Sequence, residues 1–480
     1  MRRTKIIATL GPATSKPITI EKLVLAGVDL FRLNYSHQDH ASHEQAILNV
    51  REISTKLGIE TGVIADLQGP KIRLERFRKG KIVLKENDPF IIDTALAPSA
   101  GNQKRVGVTY KKLAKDVRKG NILLIDDGRI ELIVEKVVDQ EIHCRTIVGG
   151  TLSNNKGINL RGGGLSAKAL TDKDKADLVH AIHNEVDYIA VSFVRSASDV
   201  KSTRSILKKL KVRTKIIAKF ERIEAIHNAE EIIEAADAIM IARGDMGVEI
   251  GDAALPPVQK RLIGMAREMD TAVITATQMM ESMIGSQTPL RAEVFDVANA
   301  VLDGTDAVML SGETSVGRYP VKVVQTMVKI CEETEKQSSI RTSDHRINTR
   351  FEKIDEAIAM ATMYTANHIG ASAIVALTET GSTCLWMSRI SSGIPIFGFT
   401  RHLSTMRRVK LYRGVYPIFF DVTTIESVDV NNMIIQDLVQ ANLVKEGDLV
   451  IITRGDLSGR RGGTNNMKVI RVKAATWYNY

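Results

Sequence analysis

Eight short apolar runs, rich in β-branched side chains, recur along the first 315 residues of this 480-residue chain. They are Lys5–Leu10, Leu30–Asn34, Gly62–Leu67, Tyr188–Phe193, Lys215–Phe220, Ala238–Gly244, Ala272–Thr277 and Ala307–Gly312. Each is too short for a helix and too evenly apolar for a strand with one wet face. Such runs suit strands covered on both sides, as in parallel sheets. Helix-period stretches follow most of them, including Ile20–Ala26, His40–Leu57, Ala197–Leu210, Pro257–Glu268 and Arg291–Leu302. Eight β-then-α units predict an α/β fold, a (β/α)8 TIM barrel, over an open doubly wound sheet. On that fold, chemistry belongs at the C-terminal ends of the strands.

The rhythm breaks once. About 120 residues separate the third run from the fourth. There the pattern turns to short alternating segments (KIVLKE, PFIIDT, NILLIDDG, RIELIVEKVV) punctuated by Gly, Asp and Asn. This is the signature of antiparallel hairpins. It predicts a small β-barrel lid domain, residues 71–166, inserted on the active-site side of a barrel formed by 1–70 and 167–340. The polar stretch Glu333–Arg350 reads as a linker. Beyond it, Ile354–Ile369, Ser372–Leu377, Leu385–Ser391, Ile394–Phe399, Thr405–Leu411, Val415–Phe419, Val430–Ala441, Leu449–Thr453 and Lys468–Val472 alternate between strand and helix patterns. They predict a separate C-terminal α/β domain over 341–480.

Composition narrows the function classes. At 44% hydrophobic and 25% charged, the chain is ordinary globular protein. No apolar run reaches membrane-spanning length, and the apolar stretch in MRRTKIIATLGPAT is too short for a signal peptide. Cys144, Cys331 and Cys384 lie too far apart in sequence for a disulfide framework or a zinc site, which fits a reducing cytoplasm. The net charge of +10 is scattered, and its local groups, Lys208–Lys215 and Arg401–Arg413, lack interleaved aromatics. Small phosphorylated anions therefore explain the surplus as well as nucleic acid does.

The chemistry gathers at strand ends. The stretch Lys215–Gly251 holds two strand patterns separated by one helix pattern, closing in Lys219 and Glu221, then in Arg243 and Asp245. An ammonium beside two carboxylates can hold a divalent cation against an anionic oxygen substrate. On the second strand Arg32 and Asn34 share a face by the period of two, with Ser36 and His37 entering the loop. The third places Asp66 at the rim and Lys71 and Arg73 at the hinge to the lid, and the seventh ends in Thr275, Thr277 and Gln278. Guanidinium groups, an ammonium, carboxylates and a hydroxyl thus form one cup. It has no Ser-His-Asp pattern, no cysteine nucleophile, no Walker A loop and no dinucleotide fingerprint. Single positions also have plain structural readings. His37 suits a loop, Ser36 a helix cap, and Met279, Met280 and Met283 a core.

FRLNYSH, ADLQGPKIR, KGINLRGGG, IIAKFE, IARGDMGVEI, TATQMMESM, MLSGET and LYRG together resemble the motifs of pyruvate kinases, in family order and spacing along essentially the whole chain. The resemblance implies phosphoryl transfer between phosphoenolpyruvate and ADP, giving pyruvate and ATP. It makes Glu221 and Asp245 ligands of Mg2+ (or Mn2+), and Lys219 the stabiliser of the transferring phosphoryl group and the enolate. Arg32 and Arg73 would clamp phosphoryl oxygens, the Ala242–Asp245 backbone with Gly244 would hold the substrate carboxylate, and Thr277 would line the protonated face. Asn34, His37, Arg73 and Lys156 match nucleotide contacts, and Asp127 lies on the lid. Asn34, Ser36, Asp66 and Leu67 match monovalent-cation positions. Two departures bear on that cation. Lys71 stands where many members carry Glu, and Leu67 where Thr is frequent; a tethered ammonium at Lys71 would make K+ unnecessary.

The resemblance also implies a homotetramer of twofold symmetries and an effector pocket at Thr378, Thr380, Ser382 and Thr383, with cations from Arg454–Asn466. The effector would be a sugar phosphate or nucleoside monophosphate, although Ser382 replaces a family-typical basic residue. No nucleic-acid or membrane partner is implied. Two further readings of the cup remain at this point: a Mg2+-dependent pyruvate-enolate aldolase or lyase, and a non-catalytic phosphometabolite sensor.

Overall fold

In a computed structural model, described over residues 1–340, 350–455 and 463–473, the eight runs form eight parallel strands: β1 (Lys5–Thr9), β2 (Leu30–Asn34), β3 (Gly62–Asp66), β4 (Tyr188–Val191), β5 (Lys215–Phe220), β6 (Ala238–Ala242), β7 (Ala272–Ala276) and β8 (Ala307–Leu310). They close in sequence order, with Lys5 opposite Ala307 and Lys215 opposite Tyr188. Alternate residues divide between two cores. Ile216, Ala218 and Phe220 face the helices, while Ile7, Leu30, Ile64, Ile217, Met240 and Ile274 fill the interior. That interior core continues through the barrel floor into Met360, Ile374, Leu411 and Tyr412 of the C-terminal domain.

Between β3 and β4 lie a six-stranded sheet and a separate two-stranded ribbon around their own apolar core. The C-terminal domain carries a five-stranded sheet, four strands parallel and the last, Thr464–Arg471, antiparallel. It docks on the N-terminal ends of the barrel strands. Arg407 pairs with Asp187 just before β4, and Gly414 donates its N–H to Arg3 O just before β1. Lys5 extends its ammonium to Val415 O at 2.5 Å. The chemistry expected at the other ends of the strands is thus kept clear of this contact.

Three local expectations change. The single helix expected between β5 and β6 is two, Ile223–His227 and Ala229–Ala235, because Asn228 leaves helical geometry and sends its side-chain N–H to Arg195 O. The sixth run does not stay extended to Gly244. The strand stops at Ala242, and a helix, Arg243–Ile250, begins at once. Ser36 does not cap the helix His40–Leu57; Asp39 does, accepting from Ser42 N. Of the expected linker, residues 341–349 lie outside the described residues.

Candidate functional site

Following the inner face of each strand upward by twos ends in one layer of polar side chains at the barrel mouth. Ile7 leads to Thr9, Leu30 to Arg32, Ile64 to Asp66, Ala190 to Ser192, and Ile217 to Lys219 and Glu221. These groups bind one another. The Lys219 ammonium lies 2.8 Å from Glu221 Oε1, 3.1 Å from Asp66 Oδ1 and 2.7 Å from Ser192 Oγ. Arg32 Nε donates to Asp66 Oδ2 at 2.7 Å, and its Nη1 reaches Thr9 Oγ1 at 3.2 Å. Ser192 Oγ is also within 2.7 Å of Leu67 O. Thr9 and Ser192 escaped the sequence reading, although extending the period of two from Ile7 and Ala190 would have reached both.

All of these groups are buried, so charge must be balanced locally. Burial alone would raise Asp66 and lower Lys219. Instead Lys219 and Arg32 hold Asp66 below its ordinary value, and Asp66 and Glu221 hold Lys219 above its own. Glu221 goes the other way. Burial, abetted by Asp245, raises it despite Lys219. Its Oε2 accepts from Phe193 N at 2.7 Å. Two carboxylates close enough for Asp245 to raise Glu221 could hold a cation between them. No group of three or more His, Cys, Asp or Glu side chains suited to a metal occurs among the described residues. Two carboxylates, with the remaining positions open to water and substrate oxygens, fit Mg2+ better than a metal needing an all-protein cage.

Asp245 sits in the first turn of the helix Arg243–Ile250. The turn is fixed from below: Arg243 Nη1 pairs with Asp296 at 2.6 Å, and its Nη2 donates to Thr277 O at 2.6 Å. Thr277 and Gln278 adopt φ of 66° and 53°, a left-handed pair that strains a β-branched residue and is retained where geometry is functional. Thr277 Oγ1 accepts from Gly244 N at 2.9 Å and donates to Ala276 O at 2.6 Å. Its hydroxyl proton is therefore directed away from the cup in this conformation.

Lys71 departs from expectation. Its ammonium stands 3.7 Å from Asp245 Oδ1, and no ion pair joins it to Asp66 among the described residues. Asp66 is served by Lys219 and Arg32. Of the other cation positions, Asn34 Oδ1 accepts from Ser36 N at 3.1 Å, and Leu67 contributes its carbonyl to Ser192. Burial together with Arg73, Arg32 and Lys71 lowers the His37 imidazole, which favours its neutral form. Arg73 Nη1 donates to Asn155 O at 3.0 Å, and Lys156 pairs with Asp126 at 2.8 Å, so both are tied to the lid. Between lid and barrel opens a cleft of about 770 Å³, lined by Lys71, Asp127, Arg161, Gly244, Asp245 and Gln278.

Similar sequences place the chain in a family. The model of the pyruvate kinase barrel domain matches residues 1–324, and that of the pyruvate kinase alpha/beta domain matches 356–470. The chain belongs to the pyruvate kinase family. It is 51% identical over 475 residues to the pyruvate kinase of Buchnera aphidicola subsp. Baizongia pistaciae, covering 98% of this chain and 99% of that one. It is 49% identical over 477 residues to pyruvate kinase II of Salmonella typhimurium, with 98% and 99% covered. To the pyruvate kinase of Mycobacterium tuberculosis it is 41% identical over 473 residues, 98% of each chain. Pyruvate kinases are phosphotransferases, and neither the aldolase nor the sensor reading finds support in these matches.

The expected effector residues meet in one turn. Gly381 N donates to Thr378 Oγ1 at 2.9 Å, and the Thr380 and Ser382 hydroxyls lie 3.1 Å apart. Thr383 differs: it is buried and hydrogen-bonded to Thr464. Residues 456–462 of the expected cationic loop lie outside the described residues.

One neighbour of the site gives a pH prediction. Burial pushes the Glu249 carboxyl from 4.5 up to about 7, although Ile223 N donates to it at 3.0 Å. Between those values the native chain keeps a proton that the unfolded chain has lost, so stability falls as pH rises through the window. Glu249→Gln is expected to flatten that fall, worth on the order of 2 kcal/mol. Urea unfolding midpoints on either side of the window check it; equal slopes for both proteins would refute it.

Proposed function

We infer that the chain transfers the phosphoryl group of phosphoenolpyruvate to ADP, giving ATP and pyruvate in glycolysis. The observation that carries this is the Lys219 ammonium, fixed between Asp66 and Glu221 with Asp245 facing them. Phosphoryl transfer needs positioning and charge neutralisation more than covalent chemistry, and this cup offers both. Glu221 and Asp245 would hold Mg2+ (or Mn2+), which supplies neutralising charge for substrate oxygens. Arg32 and Arg73 clamp the phosphoryl group, and the Ala242–Asp245 backbone with Gly244 receives the substrate carboxylate. The bond from phosphorus to the enol oxygen breaks as a terminal ADP oxygen bonds to phosphorus. Lys219 stabilises the transferring group and then the enolate, whose carbon takes up a proton on the face lined by Thr277. Asn34, His37, Arg73 and Lys156 contact the nucleotide when the lid, 71–166, closes on the barrel, 1–70 and 167–340.

We further propose that K+ is not required. Lys71 brings a fixed positive charge into the cup, and Asp66 is already paired with two cations. A further monovalent cation among Asn34, Ser36, Asp66 and Leu67 would face like charge in a poorly solvated place. The C-terminal domain, 341–480, takes a sugar phosphate or nucleoside monophosphate at Thr378, Thr380, Ser382 and Thr383. The working form is a cytoplasmic homotetramer, with no nucleic-acid or membrane partner. No helix among the described residues is long and apolar enough to cross a membrane.

One assay tests the activity, the cation and the effector. Pyruvate formation is followed by coupled NADH oxidation with ADP, Mg2+ and phosphoenolpyruvate in tetramethylammonium buffer. Turnover is expected without K+, with less than a tenfold change when KCl replaces the buffer salt at equal ionic strength. The half-saturating phosphoenolpyruvate concentration is expected to fall when phosphorylated metabolites are added. No pyruvate would overturn the activity, a tenfold rise with KCl the cation reading, and curves unmoved by any phosphorylated metabolite the effector reading.

A further inference from the structure

The contact between barrel floor and C-terminal domain forms a second, partly open cavity of about 200 Å³, at the opposite end of the strands from the catalytic cup. Arg3, Arg267 and Arg413 line it, with Ser388, Ser391 and Ser392. The four guanidinium groups in and beside it face two carboxylates. Glu335 answers Arg3, at 3.8 Å, and Asp306 answers Arg389. Arg267 and Arg413 make no ion pair among the described residues, and burial depresses both, with Arg389 adding repulsion at Arg267.

Their hydrogen bonds differ in kind. Arg413 Nη1 is held by Thr4 Oγ1 at 3.0 Å, Val301 O at 3.2 Å and Thr305 O at 3.0 Å, so it is anchored. Among the described residues Arg267 has only Nη2 engaged, to Ser391 Oγ at 3.1 Å and Arg389 O at 3.4 Å. The Ser388 and Ser392 hydroxyls already donate to Leu385 O and Asn367 Oδ1, so the donors left for a ligand are the guanidinium groups. An anchored guanidinium and a loosely held one on a small recess, with more positive than negative charge, make a cradle for an oxyanion. The volume lies below the roughly 300 Å³ at which pockets begin to take drug-sized ligands, so a nucleotide does not fit.

We propose that this cavity is a phosphate-sized oxyanion site, taking inorganic phosphate or the phosphoryl end of a small ester between Arg267 and Arg413. Its walls come from both domains: Arg267 ends a barrel helix, Leu255–Glu268, while Ser388 lies in the last turn of Ser382–Arg389. An anion there ties the C-terminal domain to the barrel floor. The Thr378–Ser382 turn lies at the other end of that same eight-residue helix, so the two places share one rigid element without sharing a residue of the cradle.

Hydrogen exchange on the full chain tests this locally, because phosphate also has reason to bind the catalytic cup. Peptides spanning 388–396 and 411–416 are followed in sodium phosphate against sodium chloride of equal ionic strength. Exchange through local opening is expected to slow about tenfold at a phosphate concentration about ten times its Kd. Arg267→Gln, whose own contacts are the weakest in the cradle, is expected to abolish the slowing while keeping the wild-type melting temperature in chloride. If Arg267→Gln melts early, Arg267→Lys, which keeps charge but loses the fork, is expected to weaken the slowing. Glycerol 3-phosphate in place of phosphate distinguishes the ester from the free ion, and slowing by either supports the site. No slowing, equal slowing in chloride, or slowing undiminished in the Arg267 variants would overturn it.

Discussion

Lys219→Met is expected to lower kcat by about three orders of magnitude or more, because developing charge loses a partner that is already in place. The geometry makes the variant informative in a second way. Lys219 is also the counter-ion of Asp66 and Glu221, at 3.1 and 2.8 Å. With the ammonium gone, Asp66 keeps Arg32, but among the described residues Glu221 keeps only the neutral N–H of Phe193. Glu221, already raised, should rise further, and Mg2+ affinity should become steeply dependent on pH. Turnover is therefore measured at saturating Mg2+ over a pH series, beside Glu221→Gln, whose principal defect should be in Mg2+ dependence. Near-normal kcat in Lys219→Met at any pH would remove Lys219 from the chemistry.

The second large effect lies at the barrel floor. Arg389 and Asp306 are each about 1% exposed and meet as a two-pronged pair, with Nη1 to Oδ2 at 3.0 Å. Asp306 also accepts from Arg413 N and Val273 N, and Arg389 also donates to Thr271 O. Arg389→Leu leaves that carboxylate buried without its cation, which costs about 3–5 kcal/mol. In a chain of several domains the loss need not spread over one cooperative step. The expected result is a separate early transition for the C-terminal domain in calorimetry, with the barrel transition less affected. Adding Asp306→Leu should recover part of the loss. A single transition at the wild-type temperature would show that the pair does not hold the domain.

The barrel was legible because fully covered strands have nowhere to put a polar residue except their ends. That is why Lys219, Glu221 and Asp66 stood out from the sequence. The lid was legible from the switch to alternation. What escaped carried a fainter mark. Ser192 follows Val191 as one more small residue, and nothing local says that its hydroxyl joins Lys219, Asp66 and Leu67. The apolar pattern through Ala242 hid the start of a helix at Arg243, since periodicity over so few residues fits either element. A long side chain's target is equally silent in sequence. Lys71 has reach enough for either carboxylate, and only the closed fold directs it to Asp245. The Arg389–Asp306 pair joins two segments whose proximity exists only after the C-terminal domain has docked.

Closure of the barrel by Lys5–Thr9 against Ala307–Leu310 has a consequence during synthesis. On the ribosome the first strand can pair with the second early, but its other edge stays open until the eighth strand has emerged, after the whole lid has been translated. Two of the lid's hairpins, Ile122–Ile125 with Ile130–Val138 and Ile130–Val138 with Glu141–Val148, join near neighbours in sequence. The rest of the lid closes after Gly150–Ser153 has emerged to pair with Lys81–Leu84, while the barrel around it is still a curved, open sheet. The nascent chain therefore carries a finished appendage on an unfinished body. Its exposed first edge, KIIAT, stays open to pairing with another chain until the last strand arrives.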